Sequence, residues 1–72
     1  MYKISLIENG TKQNEITIAD TVALFQFVHR LTTRYNGYSW DFISIELAEF
    51  VEFSNQCYID IDYNVILKIE EC

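Results

Sequence analysis

The chain predicts an α+β fold: two β-hairpins forming one antiparallel sheet with two helices on one face, in the order ββααββ. Three patterns lead there. Apolar residues alternate near both ends of the chain, they recur at helical spacing after Asp20, and a second helical stripe runs through residues 39–54. With 72 residues the whole chain, 1–72, is expected to form a single domain. A chain of this size buries only about 60% of its unfolded surface, so its core is thin. Half of its residues are apolar and 15% are aromatic, which is too hydrophobic for a disordered acidic tail.

The first hairpin follows from Tyr2, Ile4 and Leu6 on one face, the Asn9-Gly10 pair, and Ile16 and Ile18 in a second alternating stretch. A two-residue Asn9-Gly10 loop would set Ile4 beside Glu15 and turn Ile16 to the other face. A three-residue loop, Glu8-Asn9-Gly10 with Gly10 left-handed, pairs Tyr2 with Ile16 and keeps the apolar residues together. A one-residue slip flips every side chain, so the three-residue loop is the expectation.

Asp20 is suited to cap a first helix, whose stripe is Leu24, Phe27, Val28, Leu31 and Tyr35. Asn36-Gly37 supplies a left-handed stop, and Arg30 and Arg34 suit the negative end of the helix dipole. Residues 39–54, read as a helix capped by Ser39, align Trp40, Ile43, Leu47, Phe50 and Val51. Read as a strand, they give Ile43, Ile45, Leu47, Val51 and Phe53 one parity, which Glu49 breaks and which leaves out Phe42 and Phe50. Ala48 and three glutamates favour the helix. The second hairpin alternates Cys57, Ile59 and Ile61, then Val65, Leu67 and Ile69. A loop of Asp62-Tyr63-Asn64 pairs Ile61 with Val65 and Ile59 with Leu67, with Asn64 in the left-handed position.

Charge is distributed unevenly. Residues 1–40 carry +1 and residues 41–72 carry −7, which together make the formal −6. The acidic half attracts basic surfaces and repels nucleic-acid phosphates. The first residues lack the cationic start and long apolar stretch of a signal peptide. No apolar run approaches the roughly 20 residues that cross a bilayer. The expectation is therefore a cytoplasmic protein that binds neither membrane nor nucleic acid directly. Cys57 reads as a buried small hydrophobe and Cys72 as a loose end, without a structural disulfide.

The candidate site is the outer side of the second helix. Asp41, Glu46, Glu49 and Glu52 spread over the side opposite the apolar stripe, with Phe42, Ile45 and Phe53 among them. A solvated face carries acids but seldom two phenylalanines and an isoleucine as well. A mixed aromatic and acidic surface suits a partner's basic, partly apolar groove.

Other constellations are weaker. Asp60, Asp62, Asn64 and Glu71 fall at four ligand positions of a calcium loop, but Val65 stands where glycine is needed and Lys68 where a ligand is needed. His29, the lone histidine, has no placeable nucleophile or carboxylate and reads as a surface residue. Arg30 and Arg34 are a poor phosphate-binding footprint and read as partners for the acidic half. No metal, cofactor or catalytic constellation is expected, so the chain reads as non-enzymatic.

In size, acidity and lack of catalytic residues the chain resembles the small inhibitors that phages and mobile elements direct at host nucleases, anti-CRISPR proteins and other nucleic-acid mimics among them. That likeness is one of type and assigns no residue a role. It implies a partner with a basic surface of the kind that holds nucleic acid. The rival expectation is a homodimeric structural or accessory module that buries Phe42, Ile45 and Phe53 against a copy.

Overall fold

The computed structural model describes residues 1–35 and 39–72; the Asn36-Gly37 stop lies outside them. Strands β1 (Tyr2–Glu8) and β2 (Thr11–Ile18) are followed by helices α1 (Thr21–Arg34) and α2 (Trp40–Phe53), then by β3 (Gln56–Asp62) and β4 (Val65–Glu71). The four strands form one antiparallel sheet in the order β2-β1-β4-β3. The first and last strands are thus the central pair, and the fold is the expected α+β arrangement.

Both helices cover one face of this sheet. On β1 the inward residues are Tyr2, Ile4 and Leu6; Ile4 stands between Ile16 and Ile69, and Leu6 lies opposite Leu67, which lies opposite Ile59. Leu24, Val28 and Leu31 of α1 and Ile43, Leu47 and Phe50 of α2 close the core over them. The middle of each helical stripe anticipated from spacing is therefore buried, while Phe27, Tyr35, Trp40 and Val51 are half-buried against it. The rings of Tyr2 and Phe50 meet at 5.9 Å, tying the start of the sheet to α2.

The first turn differs from expectation. Asn9 (φ 52°) and Gly10 (φ 80°) both take positive φ in a two-residue loop, which closes Glu8 on Thr11 and Ile7 on Lys12. Such a turn matches the twist of its strands, and Asn-Gly tolerates it best. The register then shifts between Leu6 and Ile7, leaving Gln13 unmatched. This one-residue bulge restores face parity, so that Ile4 pairs with Ile16 and Tyr2 with Ile18 rather than with Ile16. Turn chemistry and face matching are both satisfied, at the cost of one unpaired residue.

The second turn has Asn64 at φ 58°, as expected, and Ile59 opposite Leu67. Its ladder closes Asp62 on Val65 instead of Ile61 on Val65, with the irregularity falling at Ile61. A carboxylate oxygen of Asp62 accepts the Tyr63 N–H at 2.7 Å and holds the turn. The two turns touch, since the Asn9 N–H donates to the Asn64 carbonyl at 2.9 Å.

Asp20 caps α1 through a 2.8 Å hydrogen bond from the Ala23 N–H to its Oδ1. Ser39 occupies the cap position of α2, but its hydroxyl makes no capping bond and only its carbonyl accepts, from the Ile43 N–H. Cys72 is less loose than expected: its N–H donates to the Met1 carbonyl at 2.9 Å, continuing the central ladder. Among the described residues, no helix is long and apolar enough to cross a membrane.

Candidate protein-binding surface

Helix α2 has more apolar residues than its buried stripe can use. Ile43, Leu47 and Phe50 are buried, whereas Phe42, Ile45 and Phe53 are 69%, 58% and 81% exposed. Asp41, Glu46, Glu49 and Glu52 are exposed with them. At about 100° per residue, Phe42, Glu46, Glu49 and Phe53 fall within a sector of about 60°, with Ile45 about 40° beyond it. The result is a ridge about 16 Å long at 1.5 Å rise per residue, with a ring at each end and two carboxylates between. All seven residues singled out from sequence lie on the solvent side of this helix; Asp41 and Glu52 flank the ridge.

At one end the ridge borders a hollow of about 350 Å³, lined by Phe42, Ile43, Glu46 and Asp60. Of these residues Glu46 and the Phe42 ring belong to α2 and are exposed, whereas Asp60 belongs to the edge strand β3, where it lies opposite Ile66. Asp60 enters the site here, a residue that the sequence placed only in a calcium-like spacing. Alternation in β3 marked it as exposed, but its place beside α2 depends on the packing of helix on sheet.

Burial pushes the Cys57 thiol up to about 11, helped by the nearby Glu46 carboxylate. That cysteine is a core filler, protonated at neutral pH. Both cysteines are free.

The other candidate residues do not converge. Glu71 pairs with Tyr2 at the far end of β4, about 20 Å of strand from the Asp62-Tyr63-Asn64 turn. The calcium-like spacing is therefore not assembled, and no group of three or more metal-ligating side chains occurs among the described residues. His29 is exposed, and its ring meets Trp40 at 4.8 Å while Phe25 meets the same indole at 6.4 Å. Trp40 is thus wedged against α1, a contact between helices that spacing alone did not show.

The expected pairing of Arg30 and Arg34 with the acidic half is not found. The ion pairs among the described residues are Lys12–Glu15 and Lys68–Glu70. The C-terminal part of α1 instead lies over the β1–β2 side, since Phe27, Leu31 and Arg34 surround a cleft with Ile4, Leu6 and Ile16. No protein-family model matches the chain, and neither a curated protein nor a solved structure matches it.

Proposed function

We propose that this is a small non-enzymatic binding protein, an inhibitor in type, whose α2 ridge occupies a basic and partly apolar surface of another protein. A groove that normally holds nucleic acid fits best, as in the phage anti-defence inhibitors that the chain resembles in type. The supporting observation is that Phe42, Ile45 and Phe53 stand exposed among carboxylates on a helix whose core stripe is already complete. Apolar anchors of this kind give affinity, and the acids choose a basic partner and speed the encounter.

The rival reading, a symmetric dimer through α2, is opposed by charge. A two-fold contact sets the same patch against itself. The patch that carries Glu46, Glu49 and Glu52 would then lie against an equally acidic copy, with no cation on α2 to offset it.

Affinity capture from the native cell tests the proposal when run at low and moderate salt, with wild type and a Glu46→Lys/Glu49→Lys/Glu52→Lys variant. A protein held by wild type at low salt and lost with the variant supports it, because screening shortens the Debye length to about 8–10 Å. Equal capture by a folded variant would contradict it.

A further inference from the structure

Strand β2 is the more exposed of the two edge strands of the sheet. Every residue from Thr11 to Thr17 is exposed, and Ile16, although on the helix-facing side, is 39% exposed. Between this strand and α1 runs a cleft of about 220 Å³, floored by Ile4, Leu6 and Ile16 and walled by Phe27 and Leu31. A hollow of about 410 Å³ adjoins it, bounded by Phe27, Leu31, Arg30 and Arg34. Arg30 and Arg34 lie one helical turn apart at the rim, and neither has an ion-pair partner among the described residues. Glu8 is engaged by the Tyr35 hydroxyl, which donates to it at 2.8 Å.

This cleft is the complement of the α2 ridge. One offers an apolar trough with two cations a turn apart; the other offers apolar side chains with two carboxylates a turn apart. We infer that the ridge of one copy seats in the α1–β2 groove of another, with Phe42, Ile45 and Phe53 toward the trough and Glu46 and Glu49 toward Arg30 and Arg34. The inference rests on reading the ridge as a recognition surface, and it names a second copy of the chain as one partner.

Topology sets the geometry of the contact. In the order β2-β1-β4-β3 the groove lies on the β2 flank and the ridge lies over the β3 side, bordering Asp60. Two surfaces on opposite flanks cannot satisfy each other in a two-fold pair. They associate head to tail, as a growing chain or a closed ring. Such association covers the exposed strand β2, and it competes with any other protein for the ridge.

Charge exchange tests this directly. Variant one is Arg30→Glu/Arg34→Glu, which makes both surfaces acidic; variant two is Glu46→Lys/Glu49→Lys, which makes both basic. All four residues are exposed, and circular dichroism verifies that each variant folds. Sedimentation velocity follows mass from micromolar to millimolar protein at low salt.

Wild type should gain mass with concentration and lose that gain on adding salt. Each variant alone should associate at least about tenfold more weakly, and their equimolar mixture should recover association because opposite charges again meet. A monomeric wild type overturns the inference. So does a groove variant that associates like wild type, or a mixture of folded variants that stays monomeric. If wild type is monomeric while the ridge variant loses a captured basic partner, the self-association falls and the proposed function stands.

Discussion

Replacing Phe50 and Phe53 one at a time by alanine separates what folds the protein from what is left over. Phe50 is 2% exposed and meets the Tyr2 ring at 5.9 Å. Truncating a buried phenylalanine costs about 3–5 kcal/mol, from lost transfer energy and the cavity left behind. A core this small supplies a net stability of only about 3–5 kcal/mol, so Phe50→Ala should remove most or all of it. Phe53 is 81% exposed. Full burial of such a side chain is worth about 1.5–3 kcal/mol, so the covered fifth contributes roughly 0.3–0.6 kcal/mol. Alanine's better helix propensity offsets much of that. Urea unfolding followed by far-ultraviolet circular dichroism and Trp40 fluorescence reads both variants. With a slope near 1 kcal/mol per molar, Phe53→Ala should move the midpoint by less than about 0.5 M, while Phe50→Ala should be largely unfolded without urea. Comparable loss in the two variants would refute the reasoning, since Phe53 would then be a structural residue.

Three further outcomes are expected. Ellman's reagent at neutral pH should modify exposed Cys72 quickly and Cys57 only after denaturant is added, because the Cys57 thiol is held protonated. Asp20→Ala should lower unfolding stability by about 1 kcal/mol in urea titration, since it removes the carboxylate that accepts the Ala23 N–H. The Tyr35 phenol is raised above its ordinary range, first by its hydrogen bond to Glu8 and then by desolvation. Its stabilising effect is therefore intact below the ordinary phenol pKa and is lost as pH climbs through the higher folded value. Tyr35→Phe should remove a late-titrating component from the near-ultraviolet absorbance of the tyrosines, together with that part of the alkaline loss of stability.

The helices and the inward faces were legible in the sequence because each rests on a local period: Leu24, Val28 and Leu31 at helical spacing, and Ile59, Ile61, Leu67 and Ile69 at alternation. The first turn was not, because two rules conflicted. Asn9-Gly10 asks for a two-residue loop, whereas Ile4 and Ile16 ask for a common face. Only a bulge at Gln13 serves both, and no residue type there announces it. The second turn fell one position from expectation for a similar reason, with Ile61 taking the irregularity. On the candidate surface, exposure of Phe42, Ile45 and Phe53 followed from the helical wheel. The entry of Asp60 and the freedom of Arg30 and Arg34 did not, because both depend on which strand each helix covers. The α1–β2 groove was equally out of reach, being made of residues from separate elements.

The outward side of α2 is the proposed docking surface. Backbone amide shifts of labelled protein, recorded as a captured basic partner is added, test it residue by residue. Changes centred on Phe42, Ile45, Glu46, Glu49 and Phe53 that fade with added salt are the expected outcome. A footprint confined to the outer sheet face around Lys3, Tyr58 and Lys68, with α2 unmoved, would contradict it.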